Sequence, residues 1–232
     1  MEEKDEMKYL KRIPVVVLLL VCFLCFAHPN AATAATQVVT SDSTFISDLA
    51  SGYYLNTFSG LTTGVQLPAS IAFSGGSGPF SYTANDLTSF GLFSIPGVGT
   101  AEYLTTYGNG ADLGFTFLSG NVTAVGGNFF STDTDGELTG DSITLLLSDG
   151  TTTTITSSSL SSFVGFLSPG VFITSLDISP GTASDYATVA NFYVGDYQAP
   201  NGGGTTPEPA TFGLLAGALI AGGLLRKRMA RV

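Results

Sequence analysis

Ile143-Thr144-Leu145-Leu146-Leu147-Ser148-Asp149-Gly150-Thr151-Thr152-Thr153-Thr154-Ile155 is two β-rich runs meeting at an Asp-Gly pair. Asp-Gly between such runs predicts a two-residue type I′ hairpin, because both residues tolerate the positive φ which that turn demands. Further short runs rich in β-branched and aromatic residues occupy 70–74, 101–107, 113–118, 172–178 and 187–194. Phe172, Thr174, Leu176 and Ile178 alternate along one face, and Ala190, Phe192 and Val194 do the same later. Glycine recurs between the runs, and no apolar pattern of helical period is sustained. Residues 36–197 are therefore expected to form an all-β, antiparallel β-sandwich. A segment of that size readily buries a two-sheet core.

The chain has 232 residues and a net charge of -10, and the placement of its charges is more informative than their sum. The eight basic residues are Lys4, Lys8, Lys11, Arg12, Arg226, Lys227, Arg228 and Arg231, all near the ends. His28, Cys22 and Cys25 also fall in the first 28 residues. Phosphate recognition needs cations, so the domain is not a nucleic-acid binder. Ser, Thr or Cys nucleophiles need a base such as His or Lys, and none stands between Thr36 and Thr206. Zinc, copper and haem want Cys or His. Carboxylate chemistry remains: a hard cation, or an acid pair acting on a sugar.

At the amino end, Lys8, Lys11 and Arg12 precede an apolar run from Ile13 to Ala27. Ala32 and Ala34 then satisfy the small-x-small rule. Residues 1–34 are expected to be a signal peptide cut by signal peptidase after Ala34, with Ala35 as the second choice and an uncleaved anchor as the alternative. Cleavage would remove both cysteines, leaving an exported protein without disulfides.

At the other end, residues 198–206 read as a Gly/Thr linker. Pro207-Glu208-Pro209 follows, then an apolar stretch 211–225, then Arg226-Lys227-Arg228 and Arg231. As a helix, 210–225 would span about 24 Å, somewhat short of the hydrocarbon core. The basic cluster would hold the tail in the cytoplasm and leave everything before Pro207 outside.

This arrangement resembles the PEP-CTERM sorting signal, whose three parts occur here in order at the extreme C-terminus (207–231). The resemblance implies a Gram-negative-type bacterium, processing by an exosortase near Pro207-Glu208-Pro209, and delivery to the cell surface or an extracellular polysaccharide matrix. An ordinary tail anchor, with the same prolines capping the helix, is the alternative. The stretch from Val125 to Gly195 is in addition similar to the ectodomains of many PEP-CTERM proteins, which look like jelly-roll, lectin-like sandwiches. In that pattern an Asp-Asn pair often precedes the last strand, whereas Ala190-Asn191 stands here.

Asp133, Asp135, Glu137 and Asp141 are the densest acids of the domain. If a cofactor is needed, they point to calcium, which takes six to eight oxygens. The alternative is a solvated turn, and the spacing is not that of an EF-hand. Tyr53, Tyr54, Tyr103, Tyr107 and Tyr193 are the tyrosines on which a sugar ring could stack. Three functions remain open. The first is a non-catalytic structural or interaction protein of the surface or matrix, with no catalytic residue. The second is a lectin-like exopolysaccharide-binding module, with or without calcium. The third is a carboxylate-dependent glycoside hydrolase.

Overall fold

The computed structural model describes residues 35–75, 78–97, 102–156 and 158–199. The expected signal segment with Ala32 and Ala34 lies outside them. So do most of the linker and the whole tail: Pro207, Glu208, Pro209, the apolar span 211–225, Arg226, Lys227, Arg228 and Arg231. Among the described residues no helix is long and apolar enough to cross a membrane.

The described chain is all-β with one short helix. In order it forms β1 (Gln37–Val39), α1 (Asp42–Ser47), β2 (Tyr54–Asn56), β3 (Gln66–Leu67), β4 (Ser70–Ser74), β5 (Ser81–Asp86), β6 (Leu92–Pro96) and β7 (Glu102–Thr106). There follow β8 (Leu113–Phe117), β9 (Ala124–Thr132), β10 (Ser142–Leu147), β11 (Thr152–Thr156), β12 (Phe163–Leu167), β13 (Ser175–Pro180) and β14 (Tyr186–Gly195). One sheet runs β1-β12-β9-β14-β7-β6-β3, with β2 also paired to β14, and the other runs β11-β10-β13-β8-β5-β4. Every pairing is antiparallel.

The two sheets pack face to face on one core. Leu104, Phe129, Phe166, Val189 and Phe192 come from the first sheet, and Tyr82, Phe115, Leu145, Leu176 and Ile178 from the second. Each such side chain removed from water is worth roughly 1.5–3 kcal/mol. Tyr82 sits among Phe73, Phe115 and Phe192, with ring centroids 5.3, 5.6 and 5.2 Å away. Burial pushes its hydroxyl well above the usual tyrosine range, so it stays protonated and accepts a 2.7 Å hydrogen bond from Asn56 Nδ2.

Beyond the core, α1 caps the outer face of the first sheet. Ser41 accepts from the Thr44 amide at 3.3 Å to start it. Phe45 then drops onto Gly126 and Gly165, where any Cβ would strike its ring, and packs against Phe163 and Tyr193.

Three local expectations are corrected. The Asp149-Gly150 hairpin is real, but its loop has three residues: Leu147 O accepts from Gly150 N and Leu147 N donates to Thr151 O. Gly150 alone is left-handed (φ +87°), so this is a turn closed by a glycine bulge, not type I′. Phe172 does not share a face with Leu176 and Ile178, because β13 begins only at Ser175, and Phe172 is exposed while Ile173 is buried. Ala190 does not share a face with Phe192 and Val194. The register of β14 against β9 shifts between Ala190 and Tyr193, so Ala190 packs on the outer face with Phe130 and Phe192 enters the core.

Candidate functional site

The outer face of the first sheet carries the site. Residues directly opposite on paired strands share a face, and Phe93, Thr105, Thr188 and Phe130 form one such row across β6, β7, β14 and β9. Tyr186 and Thr132 form the next pair. The threonine hydroxyls are joined in a chain: Thr132 to Thr188 at 2.8 Å, Thr188 to Thr105 at 2.9 Å, and Thr105 to the Ala187 carbonyl at 3.1 Å. With Thr105 donating to the carbonyl and Thr188 to Thr105, Thr132 is the donor of the first link.

Above this row the chain leaves β9 and folds back through Asp133-Thr134-Asp135-Gly136-Glu137. Asp133 Oδ1 accepts the amides of Asp135 and Glu137, each at 2.9 Å. Asp133 N donates to the Glu137 carbonyl at 3.0 Å, and Gly136 takes φ +82° to close the turn. Leu138 and Ile95 then pack against Tyr103 and Phe130. The folded-back turn forms one wall of a recess of about 120 Å³ lined by Phe93, Thr105, Tyr107, Asp133, Thr134 and Tyr186, among others. That volume is on the order of ten times what one water needs. The rings of Phe93 and Tyr107 stand 6.0 Å apart at its edge. Among the described residues, Asp133 Oδ2 and the hydroxyls of Tyr107 and Tyr186 make no hydrogen bond.

The acidic quartet is divided by the fold. Asp133, Asp135 and Glu137 occupy one turn, with one Asp133 oxygen already committed to two amides. Asp141 instead meets Asp185, whose hydrogen bond and charge raise its carboxyl above the usual range. For buried Asp185, desolvation pushes the carboxyl up, but hydrogen bonds from Ser131, Thr182, Asp141 and Ser184 outweigh it and hold the group below the usual range. Ser131 Oγ lies 2.9 Å from Asp185 Oδ2. Asp141, just before β10, and Asp185, just before β14, thus lie close enough to shift each other's proton affinity in opposite directions. Among the described residues no three His, Cys, Asp or Glu side chains gather as a metal-ion group.

Of the tyrosines expected as stacking platforms, Tyr107 alone lines the recess. Tyr103 and Tyr193 are buried in the packing around Phe130 and Phe45, and Tyr54 leans on Tyr82. Phe93, Tyr186 and the threonine row were not foreseen. Only strand register brings them together, and register is not written in any one segment. No protein-family model matches this chain, and no curated protein matches it.

Proposed function

We propose that this chain is an exported, non-catalytic protein of the cell surface or extracellular matrix, with its β-sandwich displayed outside the cell and its tail read as a sorting signal by an exosortase. The observation that carries this reading is the succession, in the sequence, of Pro207-Glu208-Pro209, the apolar span 211–225, and Arg226-Lys227-Arg228 with Arg231, behind an N-terminal segment that ends in Ala32-x-Ala34. Signal peptidase and the exosortase are its processing partners, and residues 211–225 hold the precursor in the membrane until the second cut. The experiment is localisation of the tagged full chain in cells with and without the exosortase. Surface material that depends on the enzyme supports the reading, and indifference to it overturns it.

The strand order supports a jelly-roll for the sandwich. From β7 to β14 the order β7-β14-β9-β12 in one sheet and β8-β13-β10-β11 in the other is that of two interleaved Greek keys.

A second reading, that the sandwich binds extracellular polysaccharide, is favoured by the recess. Phe93 and Tyr107 offer ring faces for a sugar's C–H surface, while Asp133 Oδ2 and the tyrosine hydroxyls offer partners to its hydroxyls. A glycan array with the full chain, its Tyr107→Ala variant and a chelator arm tests this reading. Glycan binding lost in the variant supports it, and loss in chelator adds calcium at the Asp133–Glu137 turn. Equal signals from parent and variant would remove the recess. The Asp141–Asp185 pair lends the hydrolase reading little, because two carboxyls that perturb each other this directly leave no room for a glycosidic bond, which needs ~5 Å or more between them.

A further inference from the structure

Among the described residues the six-stranded sheet ends in β4 on one side and β11 on the other, and each is a five-residue strand that pairs with a described strand along one edge only. Antiparallel pairing turns alternate backbone groups inward. On β4, the bonds from Gly75 N to Phe80 O and from Asp86 N to Ala69 O fix the phase. Ile71 and Phe73 therefore bond to β5, and Ser70, Ala72 and Ser74 turn their amides and carbonyls outward. On β11, the Leu147–Thr151 bond sets the phase, so Thr153 and Ile155 bond to β10 and Thr152, Thr154 and Thr156 face outward. Both edges thus offer three outward pairs of backbone groups over the same length.

Natural sheets blunt such edges with short strands, charges, prolines or bulges. The eight-stranded sheet does so: its outermost strands β1 and β3 have three and two residues. Neither β4 (Ser-Ile-Ala-Phe-Ser) nor β11 (Thr-Thr-Thr-Ile-Thr) contains a charge or a proline. Ile71, Phe73 and Ile155 are only partly buried at the margins of the core, so the core itself is left open at these two ends.

Charge decides what can pair there. Thirteen acids and no base lie between residues 36 and 206, so copies of this domain repel over most of their surface. Yet residues 49–85, which hold β4, and 150–176, which hold β11, contain no charged residue at all. Parity decides the orientation. With six strands all antiparallel, β4 and β11 run in opposite directions, so a copy shifted sideways without inversion presents its β4 antiparallel to β11 of its neighbour.

We propose that a second copy of this chain docks β4 against β11, continuing the six-stranded sheet head to tail. Such a heterologous contact does not close on itself, and with the ordinary twist of strands it propagates into a fibre. The proposal goes beyond the sorting reading and does not depend on it.

The test uses the full chain in detergent, with Cys22 and Cys25 changed to Ser, and two variants, Thr154→Pro and Ala72→Pro. Each proline removes an N–H that points outward, so no hydrogen bond within the sheet is lost. Thr154→Asp and Ala72→Asp serve if a proline variant loses its cooperative melt. Sedimentation should show concentration-dependent oligomers for the parent and monomers for each variant alone. An equimolar mixture of the β4 and β11 variants should give one-to-one dimers, since each retains the edge that the other lacks. A monomeric parent, oligomers indifferent to both variants, or dimers formed by either variant alone would overturn the proposal.

Discussion

Asn191, held at φ +48°, donates from Nδ2 to Asn128 Oδ1 at 3.0 Å and so pins the bulge that reverses the facing of β14. Before the bulge Val189 faces the core and Ala190 the outer side. After it, Phe192 and Val194 face the core. Asn is among the few residues that tolerate left-handed backbone. Asn191→Ala should therefore cost roughly 1–2 kcal/mol, and Asn191→Gly less, because glycine keeps the backbone and loses only the side-chain bond. Urea denaturation of the full chain checks the ranking. Equal stability of Asn191→Ala and parent would show that the bulge needs no left-handed residue.

Tyr82→Phe should destabilise by about 1–3 kcal/mol despite its nearly unchanged volume, because Asn56 Nδ2 would be left buried without its acceptor. Asn56 Oδ1 would still hold the Phe58 amide at 2.7 Å, so the loss should appear as a lower melting temperature without altered β-sheet circular dichroism.

Gly165→Ala sets a methyl group against the Phe45 ring and should cost roughly 1–3 kcal/mol. Phe45→Leu in the same chain should recover part of that loss. A double-mutant cycle reads the coupling directly, and additivity would place α1 elsewhere than over Gly126 and Gly165.

Stability should peak at mildly acidic pH. Asp177 and Asp196 have carboxyls raised by burial, with the Asp112 charge adding to the first, and Asp141 is raised by Asp185. A carboxyl with a folded pKa above its unfolded value binds its proton more tightly in the native state, so lowering the pH through the folded value stabilises the fold. Asp149 and Asp185 are held below the usual range by hydrogen bonds that outweigh their desolvation. Their contribution is present above the ordinary carboxylate pKa and disappears as pH falls through their folded values. The melting temperature should therefore rise from neutral pH toward the carboxylate range and fall below it. Asp141→Asn should flatten the rising limb.

The sandwich was legible because short alternating runs between glycines have few other solutions. The runs at 70–74, 113–118 and 151–156 became β4, β8 and β11 to within a residue at each end. β9 and β12 show no uninterrupted alternating run in the sequence. Their Gly126-Gly127 and Gly165 lie under Phe45, Phe163 and Phe129, a packing reason for glycine that no local pattern displays. The hairpin's position was written in Asp149-Gly150, but its turn type was settled by the Thr151 and Gly150 bonds to Leu147. Proximity in sequence was likewise a poor guide to the acids: Asp141 is close to Glu137 in the chain and meets Asp185 in space.

The most direct measurement is the intact mass of the protein released from the surface of cells that carry the exosortase. The expected species begins at Ala35 or Thr36 and ends near Pro207-Glu208-Pro209, and cells without the enzyme should retain residues 211–232 on a membrane-bound form. Surface material that still carries the apolar span and Arg226-Lys227-Arg228 would contradict sorting and leave a plain membrane anchor in its place.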